Sequence, residues 1–262
     1  MDISTIIGLI SCVVAVGGTL FFMSAHGESG VNLAGFIDPP AIMMVIGGAM
    51  TVALIGFPLK RVFGTMAAVK KTLMYRPEDA GRLIDELVKL AEVARRDGLL
   101  ALEVRAKEVE NAFVALGVQM AVDGIKPEVV EEVLRTEVAA MQMRHAEGKK
   151  VMDTIGRCGP AFGLVATLLG LIMMLGNLSN AASIGPSMAM ALIGTLYGVA
   201  TANFLAIPMA EKLACFSHEE TMIKEIAIRG VLAIQSGDSP RIVQQKLSTF
   251  LAPRLRRVEE GV

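Results

Sequence analysis

Long apolar runs separated by polar stretches set the pattern of this chain. Residues 159–175 and 186–208 form two such runs, joined by the short uncharged link 176–185. Neither run contains Asp, Glu, Lys, Arg or His. Each is near the roughly 20 residues that a helix needs to cross a bilayer. Two more uncharged runs cover 3–23 and 39–58. The pattern predicts four transmembrane helices, at about 3–23, 39–58, 157–178 and 185–209. Pro39 and Pro40 suit the first turn of the second, where a missing N–H leaves no helical bond unmade.

The remaining segments change period. Leu83, Ile84, Leu87, Val88, Ala91 and Ala94 recur at helical spacing. Arg76-Pro77-Glu78-Asp79 is a helix-start signal, with carboxylates against the positive end. Asp97-Gly98 predicts a break, then a second helix over 99–120, and Asp123-Gly124 predicts another break. Pro127 opens a long helix with Val130, Val133, Leu134, Val138 and Met141 on one side, leading into the third span. Gly148, Gly156 and Gly159 are candidate bend points along it. After 210 a polar helix continues, Gly237 suits its end, and Ser239-Pro240 starts another. The tail 254–262 is expected to fray. No alternating strand pattern stands out. The fold class expected is all-α: a polytopic membrane protein with a helical cytoplasmic domain. Its parts are 1–58 (first two spans), 59–153 (cytoplasmic), 154–210 (last two spans) and 211–262 (cytoplasmic).

Composition sharpens this reading. Of 262 residues, 53% are hydrophobic, and the 19% that are charged cluster in 59–153 and 211–262. Membrane segments plus polar segments account for that better than one water-soluble core. Lys60, Arg61, Lys70 and Lys71 follow the second span, whereas links 24–38 and 176–185 lack Lys and Arg. Cytoplasmic loops carry such basic excess, so both termini are expected inside. The start Met-Asp-Ile-Ser-Thr has no basic leader, so the first apolar run reads as an uncleaved span. A net charge of -1 gives no basis for a nucleic-acid partner; lipid is the expected surrounding. Cys12, Cys158 and Cys215 follow no metal spacing and read as free thiols.

Candidate chemistry lies in the last two spans. Gly159, Gly163, Thr167 and Gly170 share one helical face; Ala191, Thr195, Gly198 and Ala202 share another. Two readings stay open: a packed interface whose hydroxyls satisfy carbonyls, or a narrow path whose oxygens replace water around a cation. Such a path would need an intramembrane carboxylate, and no span holds one. A partner helix would have to supply it. Pro160 and Pro208 are either punctuation or bend points. Arg95, Arg96 and Glu103, around the Asp97-Gly98 break, are either a solvated face or a docking site for complementary charge. No phosphate loop, metal spacing or other enzyme signature occurs, and His26, His145 and His218 are scattered. No cofactor is expected.

Several stretches carry a resemblance: the N-terminal Met-Asp-Ile-Ser-Thr-Ile-Ile-Gly-Leu-Ile, Ala94-Arg-Arg-Asp-Gly-Leu-Leu-Ala-Leu-Glu103, Gly159-Pro-Ala-Phe-Gly-Leu, Thr195-Leu-Tyr-Gly198, and Gly230-Val-Leu-Ala-Ile-Gln-Ser-Gly237 with Pro240-Arg241. In this order, over nearly the whole length, the chain resembles the MotA/PomA stator subunits of the bacterial flagellar motor, more distantly ExbB and TolQ. The resemblance implies a homo-pentamer around two copies of a MotB/PomB-type subunit that bears an essential aspartate. It implies that ion flow turns this ring, and that the rotor protein FliG is contacted through Arg95, Arg96 and Glu103. The next position, Val104, is acidic in some relatives. It also implies that Pro160 and Pro208 are functional prolines. Thr167 is similar to the span-three threonine of sodium-driven members, Thr195 to one common to both ion types, and Gly194 to the proton type. Na+ is the cation favoured, H+ the alternative, bound transiently near Thr167 and Thr195 with no stable metal site. Competing expectations are an ExbB/TolQ-like energiser of outer-membrane processes, disfavoured by the span count, and a non-conducting membrane scaffold.

Overall fold

A computed structural model describes residues 3–26, 33–72, 78–106, 108–109 and 111–253. The start signal at Arg76-Pro77 and the tail 254–262 lie outside the described residues. Every regular element among the described residues is helical. The chain forms two compact units, residues 1–76 with 145–214 and residues 77–144 with 215–262.

In the first unit, α1 spans Ile3–His26 and a 3-10 turn covers Leu33–Phe36. Then α2 (Pro39–Ile42), a π-helical turn (Met43–Gly47) and α3 (Gly48–Gly56) follow without interruption. Pro39 sits at the helix start as expected. Pro58 ends the run: Phe57 before it is extended, the conformation that a following proline favours. Next comes α4, Leu59–Thr72.

In the second unit, α5 spans Ala80–Asp97. Asp79 starts it, its side chain accepting from the Gly81 N–H at 2.8 Å. The single helix expected over 99–120 is instead three pieces: a 3-10 turn at Leu99–Ala101, α6 at Leu102–Ala106 and α7 at Ala112–Val122. Asn111 explains the restart. Its side-chain oxygen accepts from the N–H groups of Phe113 (2.9 Å) and Val114 (3.2 Å), while its amide donates to Glu78 at 2.9 Å. An asparagine that satisfies helix-end donors competes with a continuing helix.

Two long helices contribute to both units. Helix α8 runs unbroken over 50 residues, Pro127–Gly176, and includes Gly148, Gly156 and Gly159. Then α9 (Ala181–Ala200), a second π-helical turn (Thr201–Ala206) and α10 (Ile207–Gln235) follow each other directly. The start of α9 lies earlier than 185 because Asn180 accepts from the Ala182 N–H at 3.2 Å. Gly237, at φ +76°, ends α10, and Ser239 then caps α11, Pro240–Ser248.

The core of the second unit explains the periodicity read from the sequence. Leu83, Ile84, Leu87 and Ala91 of α5 pack with Val114 and Val118 of α7, Val130 and Leu134 of α8, Ile226 and Val231 of α10, and Leu247 of α11. Gly230 lets α10 approach: a Cβ there would lie 2.6 Å from Leu87 Cδ1. In the first unit Val62, Val151, Met152, Ile155 and Met209 gather around Ala49, Ala53, Ala206 and Ala210.

Among the described residues three helices are long and apolar enough to cross a membrane: Pro39–Gly56, Pro127–Gly176 and Ala181–Gln235.

Candidate functional site

The two small-residue faces meet. A Cβ added at Gly159 would lie 3.0 Å from the Gly198 carbonyl oxygen, and one at Gly163 3.0 Å from that of Gly194. One at Gly170 would lie 2.7 Å from the Ser187 oxygen. These neighbours are backbone, so α8 and α9 touch main chain to main chain, as small residues permit between membrane helices. Gly156 and Gly159, candidate bend points in the sequence, are also contact positions. Gly194, read only as a marker of ion type, is a packing residue too: a Cβ there would sit 2.4 Å from the Ala166 Cβ.

The buried stripe facing α8 continues as Gly194, Gly198, Ala202, Ala206 and Ala210. Each step of four overshoots a 3.6-residue turn by about 40°. Four such steps on a regular α-helix would carry the stripe about 160° around the axis. The π-helical turn at Thr201–Ala206 takes up most of that drift. Pro208 follows it directly, in the first turn of α10. A proline in an α-helix lacks the N–H and crowds the carbonyl four residues back, and the wider turn gives it room. Pro160 lies inside α8, which continues past it. Both proline rings are exposed.

Close approach brings the threonines together. Thr167 Oγ1 lies 2.5 Å from Thr195 Oγ1, 3.0 Å from the Gly163 oxygen and 3.1 Å from the Ala191 oxygen. Thr195 Oγ1 lies 3.2 Å from that same Ala191 oxygen. Four oxygens thus share four close approaches. Two hydroxyls own only two protons, so two approaches hold none. This surplus of lone pairs is what a cation path offers. Thr195 is exposed and Thr167 half-buried, so the group opens to the edge of the helix pair. The stripe passes through Gly194 and Gly198, which leaves Thr195 beside it. Among the described residues no three His, Cys, Asp or Glu side chains cluster as a metal site.

Sequence reasoning missed two polar groups here. Tyr197 donates its hydroxyl to the Phe36 carbonyl. Asn203, exposed in the π-helical turn, donates to the Val199 carbonyl at 3.0 Å. A lone polar side chain in an apolar run is the signal that the sequence offered for each.

In the other unit, Arg95, Arg96 and Glu103 are exposed around Gly98. They are not equivalent. Arg96 donates to Asp97 at 2.8–3.1 Å, which holds the Asp97 carboxyl below the usual carboxylate range. Arg95 and Glu103 have no charged partner among the described residues. Gly98 sets their spacing with φ +84° and ψ 166°, a conformation essentially restricted to glycine. Gly98→Ala is therefore expected to lower the stability of this unit by about 1–3 kcal/mol, although open space surrounds the Cβ position. Chemical denaturation of the detergent-solubilised protein, monitored within this unit, checks it.

Residues 105–226 match the profile of the MotA/TolQ/ExbB proton channel family. The chain is 36% identical over 259 residues to the chemotaxis protein PomA of Vibrio alginolyticus, covering 99% of each. Its fold superposes on C. jejuni MotAB with a TM-score of 0.89 at 27% identity, over 100% of both chains. On the MotAB stator complex of Bacillus subtilis the TM-score is 0.86 at 31% identity, over 97% of both. The chain belongs to the MotA/TolQ/ExbB proton channel family, in its MotA/PomA branch of flagellar stator subunits.

Proposed function

We infer that this chain is the A subunit of a flagellar stator, a cation-driven torque generator. The carrying observation is the oxygen group around Thr167 and Thr195 on the charge-free, glycine-packed segments 159–175 and 186–208. The similarity to PomA and to two MotAB complexes supports it. Members of this family are motor components rather than enzymes.

The finer reading follows. The chain crosses the inner membrane four times with both termini cytoplasmic. Helix α1 is the first span: its 24 residues reach about 36 Å, against a hydrocarbon core of about 30 Å. Residues 59–153 and 211–262 are cytoplasmic. A MotB/PomB-type subunit supplies the carboxylate that the spans lack. Five copies of this chain surround two copies of that partner. The α8–α9 pair forms one wall of the ion path, with Thr167 and Thr195 as oxygen donors. Na+ is favoured over H+, because a dehydrated sodium ion needs several oxygen ligands and this group presents four. Pro160 and Pro208 couple ion passage to helix movement. Arg95, Arg96 and Glu103 face the rotor protein FliG. Among the described residues Arg95 and Glu103 have no charged partner, which supports this, since exposed charges act through complementary partners.

Complementation tests the reading. Cells lacking their own stator should regain flagellar rotation when given this chain with its B-type partner. Arg95→Glu and Glu103→Lys should each slow rotation while leaving membrane level and ion leak unchanged. Absence of rotation from a stably inserted complex would refute the function.

A further inference from the structure

Between the exposed charges Arg95 and Glu103 of the second unit lies an apolar pair that the charge-based reading leaves idle. Leu100 is 76% exposed and Val104 68%. They are the two most exposed large apolar side chains of that unit among the described residues. Their neighbours point the other way: Leu99 packs on the core, and Leu102 and Ala106 are buried. The short 3-10 turn and α6 thus hold an inner apolar edge and a separate outer one. Polar residues rim the outer edge: Arg95, Arg96 and Asp97 before it, Glu103 within it, and the Arg105–Glu108 pair (2.7 Å) after it.

An apolar centre with a charged rim is the anatomy of a protein contact. We propose that Leu100 and Val104 are the apolar anchor of the rotor contact, seated on a rotor surface that carries an apolar seat between an acid facing Arg95 and a base facing Glu103. This rests on the stator reading above. The charge pattern favours a protein over lipid: cations and carboxylates alternate around the pair, whereas an anionic membrane surface selects cations alone. Size favours a transient partner over a permanent one. Two side chains cover only a small part of the roughly 800 Å² per partner that a stable interface needs. A stepping contact must form and break repeatedly, and a small apolar centre inside screened charges permits that. Charges supply encounter and orientation; desolvating Leu100 and Val104 supplies holding strength.

The test uses the whole chain with its B-type partner in stator-less cells. Leu100→Ser with Val104→Ser should reduce rotor engagement about tenfold, read as stator units recruited per motor. Membrane level and ion leak of the complex should stay at the parent's values, and Leu100→Met should engage normally. A photo-crosslinker at position 100 should capture the rotor protein. Parent-like recruitment by the double serine variant, or crosslinks only to another copy of this chain, would overturn the proposal. If the parent itself fails to rotate motors, the stator reading fails instead.

Discussion

Replacing Gly198 by alanine is expected to abolish rotation. The added methyl carbon would lie 2.7 Å from the Gly159 carbonyl oxygen and 3.0 Å from the Gly163 Cα. Both are backbone atoms of α8, so no side chain can rotate out of the way. The helices must separate, and the contacts nearby separate with them. Gly163 and Gly194 meet across the same interface, and the Thr167–Thr195 approach of 2.5 Å depends on it. Overpacking of this kind costs about 1–3 kcal/mol where side chains can adjust, and more where they cannot. At about 3 kcal/mol the closed pair becomes roughly a hundredfold less populated. The measurements are membrane level, thermal stability of the solubilised complex, and torque. Gly185→Ala is the control, because nothing lies within 4 Å of its Cβ position. A Gly198→Ala protein that turns motors at the parent's torque would show that the α8–α9 contact does not matter as described.

The same helix pair shows what a sequence can reveal. Lengths, polarity and the small-residue spacing were legible, because burial and close approach select residue types at fixed periods. The continuity of α8 into its apolar half was legible from the absence of any breaker signal strong enough to stop it. The π-helical turn at Thr201–Ala206 was not. Nothing local demands it; it arises because a stripe with steps of four must stay against a neighbouring helix, which is a tertiary requirement. The break before Asn111, inside the helix expected over 99–120, was not legible for another reason. Asparagine is tolerated within helices, and only its partners, Phe113, Val114 and Glu78, reveal it as a cap. The two threonines could be placed on small faces, but not at 2.5 Å from each other. Arg95 and Arg96 read alike in sequence, and only the contact with Asp97 separates them.

Thr167→Ala should abolish torque that depends on sodium. Thr167 Oγ1 is the centre of the oxygen group, lying within 3.1 Å of the Thr195 hydroxyl and of the Gly163 and Ala191 carbonyls. Removing it leaves Thr195 beside the Ala191 oxygen at 3.2 Å, two ligands where four stood together. A hydrogen bond or contact to a charged group contributes about 1.5–3 kcal/mol. Losing one such ligand therefore lowers cation occupancy roughly ten- to a hundredfold. Thr167→Ser keeps the oxygen and should keep the sodium dependence, which separates ligation from packing. The measurement is rotation speed across a sodium series at constant proton-motive force, with potassium replacing sodium. Speed unchanged across that series in both mutant and parent would rule out sodium as the driving ion and leave the proton. In that case the hydroxyls still matter, but as a chain: two protons shared among four close oxygens can shift from one approach to another. A path for protons needs that freedom, whereas a path for sodium needs the lone pairs alone, so Thr167→Ala distinguishes the two by which ion the remaining torque follows.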